Sequence, residues 1–329
     1  LQRMLEQSTE LSSGSSRGPI GSDIVWPLSR GDGAITVQRP DGSTEQQADL
    51  QTPYQHTDLP GIYTATRNGE SASWAINVAP EESKTDPLPI EALQLAADWT
   101  TVFCLLDDHT EEAARSSLRL ATELARLLTS LETGAPSTPA PLHRAFADIG
   151  RRTGHASVAW RERFCEEVRR LFSFFVFECV QRETGLRPDA HTFRRMREVT
   201  VGLYPLFAIG DLGAGHSRAA TDDEDRALRP LREAASRAVG FQNDLFTADK
   251  ERAEGAFHNL VLLHEHAGHH APQAAVVEEH DVEVRRFIAL AAPLRGQDPG
   301  LHPAIDACET WIAGHLAWAT ETARYRPAA

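Results

Sequence analysis

The hydrophobic pattern of the chain changes its period once, next to Pro87 and Pro89. Before this point, short β-favouring runs alternate apolar with polar side chains, which is typical of strands. After it, apolar residues recur with a period of about 3.6, which is typical of amphipathic helices. The sequence therefore predicts two parts: a β-rich unit over residues 1–87 and an α-helical domain over residues 88–329.

Turn-forming sequences separate the strands of the first part. Asp41 with Gly42 and Asn68 with Gly69 are pairs found in tight hairpin turns. They favour a small antiparallel β unit, either a sandwich or part of one, with strands over residues 33–38, 61–66 and 73–78. In the second part, a helix break is expected near Gly202 and Pro205. The helices are predicted over residues 89–109, 111–132, 141–152, 156–184, 189–210, 224–253, 256–268, 271–292 and 301–323.

The chain is strongly acidic, with a formal net charge of -14. The average field of such a protein repels nucleic acid and anionic membrane surfaces, so neither is an expected partner. The net charge does not exclude an anionic substrate, because carboxylates that hold divalent cations reverse the local sign of the charge. No apolar run reaches the roughly 18 residues of a membrane span, and the first residues lack the pattern of a signal peptide. We therefore expect a cytoplasmic location.

A cluster of carboxylates ends the first apolar helix, with Asp107, Asp108 and Glu111 close together. Asp107 and Glu111 are four residues apart and therefore share one face of a helix. Like charges at this spacing repel unless a cation lies between them, and Mg2+ prefers such oxygen ligands. Taken alone, this cluster is also compatible with an ordinary helix end whose charges are solvated.

A second group of polar residues runs along one face of a later predicted helix. Its members, Asn243, Thr247 and Glu251, are spaced four residues apart. The three side chains supply an amide oxygen, a hydroxyl and a carboxylate on one face, and together they can bind one cation. Asn and Thr are mediocre helix formers, so their placement in the middle of a long helix calls for a reason. The alternative is an ordinary solvated face.

These two elements resemble the DDxxD/E and Nxxx(S/T)xxxE motifs of bacterial class I terpene synthases. Two further elements stand where that family has them: Arg197 upstream of Asn243, and the pair Arg324 and Tyr325 near the end of the chain. The likeness runs from about Leu93 to Arg326. It implies a class I terpenoid synthase helical bundle in which the two metal motifs face each other across a deep cavity.

The resemblance also implies roles for individual residues. The metal ligands would be Asp107, Asp108, Glu111, Asn243, Thr247 and Glu251, holding three Mg2+ ions, with Mn2+ as an alternative. The donors to the diphosphate would be Arg197, Lys250, Arg324 and Tyr325. Thr200 and Val201 would occupy the linker and effector positions, and Phe103 and Trp318 would line the pocket with rings that stabilise a carbocation.

The implied activity is Mg-dependent ionisation and cyclisation of a prenyl diphosphate to a terpene, with release of diphosphate. The motifs look most like those of sesquiterpene cyclases, so farnesyl diphosphate is the first substrate expected, while geranyl and geranylgeranyl diphosphates stay open. A chain-elongating prenyltransferase is disfavoured by the Asn, Thr and Glu triplet. A catalytically impaired protein that acts as a binding scaffold is a further alternative, and a homodimer stays open.

The chain departs from the family before the aspartate motif, where β-like sequence stands in place of the family's first helices. The helical domain is therefore expected to be N-terminally incomplete. The β-rich part weakly resembles β-sandwich modules of bacterial von Willebrand-type aerotolerance proteins, through residues 58–63 and 75–80. An unrelated β extension is the alternative, and its role is unknown.

Two other polar groups are expected to lie outside the site. The acidic run from Thr221 to Arg226 precedes a helix, where its charges favour N-terminal capping. A group of four histidines lacks the ligand spacing of a zinc site and is expected to form a surface cluster: His264, His266, His269 and His270.

Overall fold

The computed structural model describes residues 17–19, 21–29, 33–59, 61–77, 89–113, 116–215 and 222–322. The chain divides into two compact units, Leu1–Pro87 and Leu88–Ala329. In the part of the chain described, no helix is long and apolar enough to cross a membrane.

In the described residues of the first unit, five strands form one sheet in the order β1-β5-β4-β2-β3. The neighbours pair antiparallel except β1 and β5, which run parallel. The described strands thus belong to a single sheet and not to the two sheets of a sandwich. Their bounds are Arg17–Pro19 (β1), Ile35–Gln38 (β2), Thr44–Gln47 (β3), Gly61–Arg67 (β4) and Glu70–Asn77 (β5).

The alternation seen in the sequence defines the buried face of this sheet. Ile35 and Val37 of β2 and Tyr63 and Ala65 of β4 are completely buried, while the residues between them are half-buried or exposed. An extended segment adds Ile24, Trp26 and Leu28 to this core, and Ile24 forms a β-bridge with Tyr54. The tight turn between β4 and β5 has positive φ at Asn68 and Gly69, as a type I′ hairpin turn requires.

The second unit is helical throughout its described part. Its helices are Ile90–Ala113 (α1), Ser117–Thr133 (α2), Pro141–Arg152 (α3), Val158–Thr184 (α4), Ala190–Thr200 (α5), Leu203–Gly213 (α6), Asp222–Glu254 (α7), Leu260–His266 (α8), Pro272–Gln297 (α9) and His302–Glu321 (α10). The helix break expected near Gly202 lies between α5 and α6. Pro205 does not break a helix, because it stands in the first turn of α6, where a missing N–H costs little.

Aromatic side chains from several helices form the centre of the bundle. Trp99 of α1 packs edge-on against Phe146 of α3 and Phe164 of α4, and Trp160 stacks on Phe164 with ring centroids 5.0 Å apart. The indole Nε1 of Trp160 donates to the carbonyl oxygen of Ala208 in α6 at 2.9 Å. These buried contacts join α1, which carries the aspartate motif, to α3 and α4, and join α4 to α6.

Candidate active site

The triplet of α7 occupies one face of a long, regular helix. Oγ1 of Thr247 donates to the main-chain oxygen of Asn243 at 2.9 Å, so its lone pairs remain for other partners. Glu251 is half-buried one turn further along. Burial and the nearby charge of Asp244 together raise the pKa of its carboxyl to about 7, although hydrogen bonds with Thr247 and Asn259 oppose the rise.

Asn259 ties this face to the next helix. Its Oδ1 accepts from the N–H of Val261 at 2.9 Å and caps α8, while its Nδ2 donates to the main-chain oxygen of Asp244 at 2.8 Å and to Oγ1 of Thr247 at 3.3 Å. The predicted helix over residues 256–268 therefore begins only at Leu260. The buried amide of Asn259 therefore forms hydrogen bonds both with the first turn of α8 and with the hydroxyl of Thr247.

Arg197, in the last turn of α5, reaches the same face. Its Nη2 donates to Oδ1 of Asn243 at 2.5 Å, and its Nε lies 2.8 Å from Oδ1 of Asp244. The Asp244 carboxyl is completely buried, and its Oδ2 accepts from the N–H of Leu260 at 3.1 Å. Burial raises the pKa of Asp244 to about 6, although the Arg197 charge lowers it. Arg197 therefore neutralises a buried carboxylate beside the triplet.

The charge of Arg197 also interacts with the aspartate motif on α1. Burial disfavours the guanidinium charge, yet the pKa of Arg197 is raised by the negative charges of Asp244, Glu251, Glu178 and Asp107. Since Glu251 lies on α7 and Asp107 on α1, the acidic groups of both motifs act on the same guanidinium. The fold thus brings the two distant sequence motifs to one region.

The aspartate motif lies inside α1 and not at its end, because the helix continues to Ala113. Asp107 and Asp108 are half-buried, and the hydroxyl of Thr110 donates to the main-chain oxygen of Asp107 at 2.9 Å. Glu111 belongs to the same helix, and its side chain lies outside the described residues. No three His, Cys, Asp or Glu side chains converge on a metal position in the described part of the chain.

The break between α5 and α6 is built around Gly202, which has φ +79°. A Cβ at this position would lie 2.5 Å from Cε2 of Phe103, so only glycine fits against that ring. Phe103 stacks on Phe175 with centroids 6.2 Å apart. Thr200 is buried, and its hydroxyl has no hydrogen-bond partner among the described residues. Val201 is half-buried against the same core.

The remaining predicted site residues are either exposed or lie outside the residues that the structure describes. Trp318 of α10 is 43% exposed, and its ring centroid lies 5.9 Å from that of His315. Lys250 is exposed, with its Nζ 3.8 Å from Oε1 of Glu254. Arg324 and Tyr325 lie outside the described residues, as does Thr221 of the acidic run before α7.

The surface position predicted for the histidine cluster is wrong for His264. This residue is 4% exposed and its Nε2 lies 2.8 Å from Oε1 of Glu279, whereas His266, His269 and His270 are exposed. His264 lies in α8 on the side that packs on α9, so its ring is covered. Sequence reasoning also missed Asp244 and Asn259. The place of Asn259 before the apolar run 260–263 is a capping signal, while nothing local marks Asp244.

Comparisons with known proteins show which family this chain belongs to. Residues 98–282 match the family described as terpene synthase family 2, C-terminal metal binding. The chain is 30% identical over 251 residues to (-)-delta-cadinene synthase of Streptomyces clavuligerus, covering 71% of this chain and 76% of the relative. It is 28% identical over 250 residues to (+)-T-muurolol synthase of Roseiflexus castenholzii, covering 72% and 76%. Residues 19–75 match a family described as a domain of unknown function.

Solved structures give the same result. A single-residue variant of cucumene synthase superposes with a TM-score of 0.63 at 25% identity, covering 73% of this chain and 84% of that protein. Linalool/nerolidol synthase of Streptomyces clavuligerus superposes with a TM-score of 0.61 at 26% identity, covering 69% and 82%. The family model matches residues 98–282, which is more than half of this chain. The chain therefore belongs to the bacterial class I terpene synthases.

Proposed function

We propose that this chain is a magnesium-dependent sesquiterpene cyclase that converts farnesyl diphosphate to a terpene and releases diphosphate. The observation that carries the proposal is the position of Arg197, whose Nη2 donates to Oδ1 of Asn243 in one motif at 2.5 Å and whose charge interacts with that of Asp107 in the other. Farnesyl diphosphate is supported by relatives such as the T-muurolol synthase of Roseiflexus castenholzii, which is named as cyclising this substrate.

The donor set suits a hard divalent cation. Asn243, Thr247 and Glu251 offer an amide, a hydroxyl and a carboxylate oxygen, and Asp107 and Asp108 with Glu111 offer carboxylates, which are the ligands Mg2+ prefers. Burial raises the pKa of Glu251 and the charge of Asp244 adds to the rise, so a cation bound there would favour the ionised carboxylate. We propose that these six residues hold the ions, three in all, with Mn2+ as a substitute. Bound magnesium supplies charge neutralisation that makes diphosphate a better leaving group.

The basic residues would complete this neutralisation. Arg197 has guanidinium N–H groups beyond those used with Asn243 and Asp244, and charge-assisted bonds strengthen as the C–O bond breaks and its electron pair passes to the diphosphate. We assign Lys250, Arg324 and Tyr325 to the same leaving group. Thr200 and Val201 take the linker and effector positions where the chain turns at Gly202.

Aromatic side chains would stabilise the cation that remains after ionisation. Phe103 lies against Gly202 at the turn, and Trp318 lies on α10 beside His315. A carbocation is attracted to the electron-rich face of such rings. We further propose that residues 88–329 form the catalytic domain, without the first helices of the family, and that residues 1–87 form a separate β-rich unit.

Product analysis tests the proposal. The full chain is incubated with Mg2+ and farnesyl, geranyl or geranylgeranyl diphosphate, and released diphosphate and volatile products are measured. We expect cyclic fifteen-carbon products from farnesyl diphosphate, lost in Asn243→Ala. Asp249→Ala is the matched control on α7, because its carboxylate is 88% exposed and pairs with Arg252. No diphosphate release from any of the three substrates would contradict the proposal.

A further inference from the structure

A chain of side-chain hydrogen bonds crosses three helices next to the proposed site. Nδ1 of His280 in α9 lies 2.9 Å from Oδ1 of Asp281, and Nε2 of His280 lies 3.1 Å from Nε2 of Gln242 in α7. Oε1 of Gln242 lies 3.0 Å from Nδ1 of His315 in α10. Gln242, in the middle of this series, is 1% exposed and immediately precedes Asn243 of the triplet.

The chemistry of the partners fixes the direction of every bond. Nε2 of Gln242 donates to the carbonyl oxygen of Ile312 at 3.3 Å, and because this oxygen can only accept, the nitrogen end of the amide must face it. The second N–H of that amide donates to Nε2 of His280, whose Nδ1–H donates to the Asp281 carboxylate. The amide oxygen of Gln242 must then accept from Nδ1–H of His315. The neutral imidazole of His315 therefore carries its lone pair on Nε2.

His315 is a neighbour of Trp318, the residue proposed above to stabilise the carbocation. Its ring lies 5.9 Å from that of Trp318, one turn along the same helix. No hydrogen bond to its Nε2 comes from the described residues. Burial, together with the positive charge of Arg197, lowers the pKa of His315 to about 4. The imidazole is therefore neutral at pH 7, and Arg197 lies close enough to influence it.

We propose that Nε2 of His315 is the base that ends the reaction by removing a proton from the carbocation, and that Gln242 and His280 position it. This role rests on the proposed function, which supplies the cation. The C–H bond next to the cationic carbon breaks, its electron pair forms a C=C bond, and the proton forms an N–H bond at Nε2. The positive charge passes to the imidazolium, which then gives its proton to water or to released diphosphate. A weak base is sufficient, because an alkyl carbocation is a very strong acid.

The first test compares His315→Asn with the wild type. The Asn side chain keeps a donor near the position of Nδ1 for Gln242 but has no group in the place of Nε2. We expect an unchanged rate of diphosphate release from farnesyl diphosphate, with the main wild-type alkene reduced by about 100-fold, the range for a placed general base, and replaced by other products. His266→Asn is the control, because His266 is exposed on α8.

Two outcomes of this test would overturn the role. An unchanged product distribution at the wild-type rate would show that His315 is not the base. An equal loss of diphosphate release and of product would show that His315 serves the fold or the ionisation step. The proposed function fails differently, because then the wild type itself releases no diphosphate.

The second test measures the tautomer directly and does not depend on turnover. Two-bond 1H–15N spectra of the wild-type protein at pH 7 should show His315 as the neutral form with hydrogen on Nδ1. Hydrogen on Nε2, or an imidazolium, would overturn the proposal, because neither form has a lone pair on Nε2.

Discussion

Replacing Gly202 with alanine should destabilise the helical unit through one well-defined contact. The new Cβ would lie 2.5 Å from Cε2 and 2.6 Å from Cζ of Phe103, closer than real carbon atoms approach. Phe103 cannot simply rotate away, because its ring stacks on Phe175 and packs against the main core. The ring or the junction between α5 and α6 must therefore move.

Two terms set the size of the effect. Holding alanine at φ +79° costs about 1–2 kcal/mol, because the left-handed conformation brings Cβ close to the carbonyl oxygen. Displacing a packed ring adds about 1–3 kcal/mol. We therefore expect Gly202→Ala to lower the free energy of unfolding by about 2–5 kcal/mol. Gly185→Ala is the matched control, because Gly185 has φ +68° and no atom within 4 Å of its Cβ position. It should cost only about 1–2 kcal/mol.

A double-mutant cycle with Phe103→Ala isolates the ring contact. In that background the cost of Gly202→Ala should fall to the conformational strain of about 1–2 kcal/mol. Urea unfolding followed by the helical circular dichroism signal measures all four proteins and the Gly185 control. Equal costs for Gly202→Ala and Gly185→Ala, or an unchanged cost in the Phe103→Ala background, would refute this reasoning.

Three further predictions concern the site. Asp107→Ala and Asn243→Ala should each abolish turnover with the helical circular dichroism intact, because they remove oxygen ligands and not core packing, and wild-type product yields would contradict this. Arg197→Ala should lose diphosphate release and also about 3–5 kcal/mol of stability, because it leaves the buried Asp244 carboxylate uncompensated; unchanged urea unfolding would contradict it. Arg197→Lys should recover little release, because a point charge cannot replace a planar fork. Chelation of divalent ions should stop turnover reversibly, and activity that persists in chelator would exclude the proposed metal role.

Local sequence signals explain why much of the helical unit could be predicted. The helix period depends on residues three and four apart, and the break at Gly202 depends on a residue type that permits positive φ. The prediction that α1 ends at residue 109 was wrong, because charged residues are compatible with a continuing helix as well as with a solvated end.

Features that depend on distant partners could not be predicted. Asp244 pairs with Arg197 of another helix and with the N–H of Leu260, and no local pattern encodes either contact. His264 is buried because Glu279 of α9 lies against it, although its neighbours in sequence are exposed. The tautomer of His315 depends on Gln242, which lies on a different helix. In the β unit, the parallel strands β1 and β5 pair although they are far apart in sequence, so no local pattern predicts their contact.

The central claim is that Asp107 with its neighbours on α1 and the triplet of α7 bind metal ions around a diphosphate. A crystal structure of the full chain with Mn2+ and inorganic diphosphate tests this most directly, because anomalous scattering locates the ions independently of the protein. We expect one ion at coordination distance from Asn243, Thr247 and Glu251, further ions at Asp107, and Arg197 bonded to the diphosphate. A diphosphate bound elsewhere, or ions that touch only one of the two motifs, would contradict the account.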